Sequence, residues 1–307
     1  MIKKIIQIVI FFGFLLLILF NVITNPPSFY ENIITSLSIW LYNVYPSLFT
    51  FYIIASCLIN FNIIKKIAFI AKPMIKFDNN KAYELFITSI FVGNPSSTSL
   101  IMNELEQNSI TKNDANKLLK VCSFFNPLYI IAIITITYQY KIKYAFIIMI
   151  SILITNIIIG LFYKSENKPI ILENHQTHNI KLNNVFTAIN QAVSLLLLVA
   201  GIMVFTNILK HSITNFLNYI NISSPITSFI LSLFEVSTGL VDNYSANYSL
   251  ITTISIASFM FAFQGISVNM QNANIMLDYK INYLPIFIIR IIQGLVSGCI
   301  TFLILNI

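Results

Sequence analysis

Between Thr88 and Leu128 the chain reads TSIFVGNPSSTSLIMNELEQNSITKNDANKLLKVCSFFNPL. An apolar run enters this stretch, breaks at Gly93-Asn94-Pro95-Ser96 and resumes. A short charged loop follows, and a second apolar segment breaks at Asn126-Pro127. In a bilayer an unpaired backbone N–H or C=O costs several kcal/mol. Broken helices therefore persist there only where protein or a water-filled cavity surrounds them. A matching interruption, FQGISVNMQNAN, lies far downstream at Phe263 to Asn274. The chain reads as a scaffold that brings the two interruptions together.

The bilayer setting comes from composition. Of 307 residues, 57% are hydrophobic and 9% charged, which excludes an ordinary soluble domain and a disordered chain. At about 20 apolar residues per span, the sequence has room for eight or nine hydrophobic segments. The net charge of +7 reads as membrane topology, since Lys and Arg collect in cytoplasmic loops. No basic face with interleaved aromatics suggests nucleic acid. The three cysteines, Cys57, Cys122 and Cys299, lie in or beside apolar runs without a CxxC pair, and read as small core residues.

The expected architecture is an all-α polytopic membrane protein. Residues 1–35 form an uncleaved N-terminal span, held in the cytoplasm by Lys3 and Lys4, and an outer loop opening at Asn25-Pro26-Pro27. Residues 36–163 form a first half. Its first span, Ser36 to Asn60, carries Trp40, Tyr42 and Tyr45 as an aromatic belt, with a kink at Pro46. A lysine-rich cytoplasmic segment runs from Lys65 to Lys81. Leu85 to Met102 is a re-entrant hairpin broken at its centre. Thr111 and Asp114 form a capping box that opens a span to Tyr138, and a further span runs from Tyr144 to Tyr163. Residues 164–184 are a hydrophilic linker. The second half, 185–307, holds spans at Val185 to Leu209 and Tyr283 to Leu305, a loop at Lys210-His211, and apolar segments at Pro225 to Val241 and Ser249 to Asn274. Aligning FVGNPSS with FQGISVN makes the halves an internal repeat, the usual pointer to a transporter-like site.

Two charges fall inside apolar segments, Glu235 and Arg290. Each must find a partner in the interior; they either pair with each other to lock two helices or face a ligand. Asn94, Ser96, Ser97, Thr98 and Ser99 cluster at the first break, and Gln264, Ser267, Asn269 and Gln271 at the second. They suit polar ligand groups presented to helix ends, or else polar packing between helices. Asn126 before Pro127 joins the first set. Gly294 and Gly298 read as a packing pair. His175 and His178, with only Glu173 nearby, make a weak metal signal on the linker. No phosphate-binding loop, dinucleotide motif or nucleophile elbow occurs, so neither enzyme activity nor a cofactor is expected.

The run FVGNPSSTSLIMNELEQNSITKNDANKLLKVCSFFNPLYI, with LFEVSTGL and FQGISVNMQNANIMLDYKINYLPIFIIRIIQGL downstream, resembles the sporulation integral membrane protein YlbJ family. That family looks like part of a wider group carrying a nucleoside-recognition or gate domain. Gly93, Pro95 and Asn126 to Leu128, and then Gly265 to Val268 and Arg290, carry the resemblance most specifically. It implies a role in endospore formation, in the cell membrane of a sporulating Gram-positive cell, with other sporulation membrane proteins as partners. The leading expectation is a transporter or channel for a small polar, nucleoside-like solute. Its site lies between the breaks, drawn from Gly93, Asn94, Pro95, Ser96, Asn126, Glu235, Gln264, Gly265, Ser267 and Arg290. The alternative is a non-transporting structural protein acting through protein partners. The two readings part on whether the breaks approach within roughly 12 Å, the width of a small-ligand pocket, beside a cavity.

Overall fold

The computed structural model describes residues 2–60, 63–163, 182–222 and 224–307, and every regular element among them is helical. The linker histidines His175 and His178, and Glu173, lie outside the described residues. Among the described residues, five helical stretches are long and apolar enough to cross a membrane: Pro26–Ile59, Lys143–Leu161, Val185–Tyr219, Leu250–Ile275 and Leu284–Asn306. Several of the other apolar segments are divided by breaks into shorter helices.

Helix α1 (Ile2–Thr24) ends at Asn25, and α2 (Pro26–Ile39) begins at once. The expected outer loop is helical here. Pro26 and Pro27 occupy the first turn of α2, where an amide N–H has no intrahelical partner to lose. A π-helical turn, Trp40–Val44, joins α2 to α3 (Tyr45–Asn60). Pro46 cannot donate to Tyr42, and just before it Tyr45 N closes instead onto the carbonyl of Trp40. Trp40, Tyr42 and Tyr45 therefore sit in the middle of a long helix and not at its end.

Two short 3₁₀ turns lead to α4 (Asn80–Val92) and α5 (Ser96–Glu106). These fold back on each other as a hairpin, and Lys81 of α4 reaches Glu104 of α5 at 3.4 Å across its open end. The Thr111 hydroxyl caps α6 (Lys112–Val121) by accepting from Asp114 N at 3.0 Å. The return half of the capping box is absent, because Asp114 Oδ1 accepts from Asp78 N at 2.9 Å. Residues 122–126 are non-helical, and α7 (Pro127–Ala132) continues into a π turn. Helix α8 (Lys143–Leu161) closes the half.

Helix α9 (Leu182–Tyr219) runs straight through Lys210 and His211, which were expected to form a loop. Their polar groups are met by other helices: Lys210 by Asp242, and His211 by Ser28. The segment 225–245 is two helices, α10 (Pro225–Ser232) and α11 (Val236–Ser245). They fold back so closely that a Cβ on Gly239 would lie 2.0 Å from the carbonyl oxygen of Ser232. Next come α12 (Leu250–Phe263), a single non-helical residue at Gln264, α13 (Gly265–Ile275) and α14 (Leu284–Asn306). Gly294 and Gly298 let α14 lie against Phe259 and Phe263 of α12.

Each half thus runs hairpin, broken helix, straight helix. This order shifts the repeat register from the one drawn on the sequence. The hairpin tip at Gly93 to Pro95 corresponds to the tip at Leu233 to Glu235, and the break at residues 122–126 corresponds to Gln264. FVGNPSS and FQGISVN resemble each other as helix interruptions but occupy different places in the two halves.

Candidate junction between the helix breaks

In each half the hairpin tip is hydrogen-bonded to the broken helix that follows it. In the first half Asn94 N donates to the carbonyl of Phe124 at 2.9 Å. In the second half Ile266 N and Ser267 N donate to the carbonyls of Leu233 and Phe234 at 2.8 and 2.9 Å. Groups orphaned by ending a helix are used to join one interruption to the next.

Gly93 makes the first contact possible. Its φ is +67°, and a Cβ there would lie 2.4 Å from the amide nitrogen of Asn126 and 2.6 Å from the carbonyl carbon of Phe125. The Asn94-Pro95 bond is cis. Ser97 and Thr98 hydroxyls both donate to Asn94 Oδ1, the latter at 3.2 Å, which leaves the Asn94 amide nitrogen directed away from its own hairpin.

That nitrogen joins the halves. Asn94 Nδ2 donates to Gln264 Oε1 at 3.0 Å and to the carbonyl of Cys122 at 3.0 Å. Gln264 Nε2 donates to the carbonyl of Phe124, also at 3.0 Å. Ser123 Oγ donates to the carbonyl of Ala262 at 2.6 Å. The two breaks therefore touch through one buried amide lattice, well inside the expected pocket width. Gln264 adopts the left-handed conformation, with φ +71° and ψ +10°, which is uncommon for a residue with a Cβ. Asn269 bridges the break behind it, donating to the carbonyls of Phe263 and Gly265 and accepting from Tyr283 OH at 2.7 Å.

Glu235 and Arg290 do not pair. Arg290 lies behind the first break, where Nη2 donates to the carbonyls of Leu119 and Cys122 at 2.8 and 3.4 Å, and Nη1 to Gln293 Oε1 at 3.1 Å. The guanidinium takes up the free carbonyls at the C-terminal end of α6, where the helix dipole favours a cation. Gln293 and Asn156 extend the clamp to Lys120 and Ser123. Glu235 lies at the other hairpin tip, where Oε2 accepts from Thr238 N at 2.8 Å and caps α11. A carboxylate at a helix N-terminus has favourable charge and donors without a cation partner.

Beside the amide lattice is a cavity of about 30 Å³, room for one or two waters. Asn94, Pro95, Asn126 and Glu235 line it, together with Ser237, Tyr129 and Gln271. Asn126 caps α7 through Oδ1, which accepts from Leu128 N at 2.9 Å, while its Nδ2 is buried without a partner. Gln271 Oε1 is likewise buried and unpartnered. Of the other residues singled out in the sequence, Gly93, Ser96, Gln264, Gly265, Ser267 and Arg290 stand outside the cavity wall. Gly93, Gln264 and Arg290 build the frame by their own bonds, and Gly265 does so by allowing close approach to Leu233 and Val236. Ser96 and Ser267 hydroxyls are buried without partners.

Sequence reasoning missed the second hairpin and the clamp from Gln293 to Asn156. It also missed a wide polar cleft between α2, α9, α10 and α11. A signal for the cleft was present, since polar residues recur at helical spacing at Ser28, Glu31/Asn32 and Thr35, and again at Asn207, Lys210/His211 and Thr214.

No family model matches the chain, and no solved structure matches it. Sporulation integral membrane protein YlbJ of Bacillus subtilis (strain 168) is 23% identical over an alignment of 325 residues, covering 93% of this chain and 80% of that protein. The alignment takes in both hairpins and both broken helices, and the chain is accordingly an integral membrane protein with distant, nearly full-length homology to YlbJ.

Proposed function

We propose that the chain serves endospore formation from the cell membrane, with its N-terminus in the cytoplasm, by binding and passing a small polar solute at the junction of the two breaks. The carrying observation is the cavity where both halves meet. Its wall offers one unpartnered amide donor at Asn126, one unpartnered acceptor at Gln271, and the Glu235 carboxylate. Broken helices that present polar groups to a shared cavity are the usual build of solute sites in transporters. The role is one of binding and not of catalysis.

At about 30 Å³ the cavity is far below the roughly 300 Å³ lower bound for drug-sized ligands. A nucleoside-sized solute therefore needs the hairpin tips to part, and the tip-to-break bonds are the ones that must exchange. The tight junction also favours a second reading, a non-transporting structural protein of the spore-forming membrane, because most polar groups there already bond within the protein.

Reconstituted vesicles separate the two readings. Uptake of labelled uridine, or of another small polar solute, that is lost in Asn126→Ala and Gln271→Ala supports passage. Absence of uptake across such a panel, together with spore heat resistance that tolerates Asn94→Ala and Gln264→Ala, would overturn it in favour of the structural role.

A further inference from the structure

The polar cleft holds about 880 Å³ and lies beside the junction without belonging to it. Its charged and titratable lining groups are Glu31 from α2, Lys210 and His211 from α9, Asp242 from α11, and Tyr248. Glu31 lies in Pro26–Ile59, and Lys210 and His211 in Val185–Tyr219, helices long and apolar enough to span a bilayer. Charges at such positions face water or a partner and not lipid, and here they line the cleft.

Only one layer of side chains separates this chamber from the junction. Lys210 Nζ donates to Thr238 Oγ1 at 3.0 Å and to Asp242 Oδ2 at 2.5 Å. Thr238 Oγ1 also reaches Asn207 Oδ1 at 3.4 Å. Asn207 is fastened to α2 through Asn32 and Ser36. Thr238 faces the chamber, while its own backbone N–H bonds Glu235, which faces the junction cavity. The layer therefore has the polar cleft on one side and Glu235 on the other.

The chamber has a sign. Ser28 Oγ and Asn215 Nδ2 both reach His211 Nε2, and the amide nitrogen can only donate to it. Lys210 is matched by Asp242, which leaves Glu31 in excess. Asn243 adds a buried, unpartnered acceptor oxygen to the wall.

We propose that this cleft is the access chamber for a cationic or amine-bearing solute, and that Lys210, bridging Asp242 and Thr238, is the tethered ammonium such a solute displaces to reach Glu235. The proposal rests on the solute-binding reading of the junction and adds to it the route and the charge class.

Cysteine accessibility in vesicles tests it. The background carries Cys57→Ser and Cys299→Ser and retains Cys122, which is 1% exposed; its labelling sets the baseline. Thr238→Cys is expected to react with impermeant trimethylammonium-ethyl methanethiosulfonate from one side of the bilayer. Relative to each reagent's rate with free cysteine, it should react roughly tenfold faster than with the sulfonate analogue. Ser237→Cys, on the junction side, should stay unreactive until Lys210→Ala is added. Gel filtration screens each variant for folding, and Asp242→Asn is the second route to freeing Lys210. The proposal is overturned if Thr238→Cys is unreactive, if the anionic reagent reacts as fast, or if Ser237 reactivity is indifferent to both Lys210→Ala and Asp242→Asn. Accessibility as expected without any solute uptake keeps the chamber and removes the transport reading, so the two failures are distinguishable.

Discussion

The two hairpins do the same job with different chemistry. The first turns at Gly93-Asn94-Pro95, where backbone freedom and the absence of a side chain let the tip press onto the peptide between Phe125 and Asn126. The second turns at Leu233-Phe234-Glu235, with neither glycine nor proline, and a carboxylate capping the next helix takes their place. The breaks differ in the complementary way. The first is opened over residues 122–126 and held from behind by Arg290. The second is Gln264, left-handed and followed by Gly265 at φ +63°, and the Gln264 side chain crosses to the other half. A topology can thus repeat while its local devices do not, because the physical requirement is only that each interrupted backbone group finds a partner.

If the first hairpin is a matter of space and the second of charge and capping, they should respond differently to substitution. The largest effect is expected at Gly93→Ala, where a positive φ and a Cβ 2.4 Å from Asn126 N coincide. A loss of about 2–5 kcal/mol, read as reduced resistance to denaturation in detergent, would mark the space-limited tip, and wild-type stability would break that side of the comparison. Gln264→Ala comes next. It removes partners from Asn94 Nδ2 and the Phe124 carbonyl, with an expected cost of about 1–3 kcal/mol. Combined with Asn94→Ala it should show a coupling of at least about 0.5 kcal/mol, and strict additivity would mean that the halves do not speak to each other there. Glu235→Ala should cost about 0.5–2 kcal/mol as a lost helix cap. Glu235→Gln, which retains an acceptor oxygen, should cost less. Equal losses in the two variants would show that charge and not capping is what the second tip needs.

Much of this was legible because glycine and proline announce themselves. GNP in the first half and QG in the second mark real interruptions, and Asn94, Asn126 and Gln264 all lie at the meeting point. The second hairpin was hidden because Phe234-Glu235 lacks a turn residue, so the segment 225–241 read as one apolar run, and FVGNPSS at a hairpin tip was aligned with FQGISVN at a helix break. Glu235 drew notice as a buried charge, but its cap depends on a helix start that periodicity does not reveal. Arg290 was expected either to pair with Glu235 or to face a ligand, because an intramembrane cation must find a partner. Its partners are carbonyls freed by a break far away in sequence, which no local pattern encodes. Lys210 was placed in a loop for the same reason: its partners, Thr238 and Asp242, come from a distant helix.

The central claim is that the two breaks form one junction. Asn94→Cys and Gln264→Cys together, with Cys57 and Cys299 replaced by serine, should be joined in membranes by a short bis-methanethiosulfonate reagent. The product would be seen as a link between the two fragments after cleavage in the segment between the halves. Efficient joining, absent when Asn94→Cys is paired instead with a cysteine at the remote, exposed Leu303, is the result this account predicts. Equal or absent joining in both pairs would contradict it.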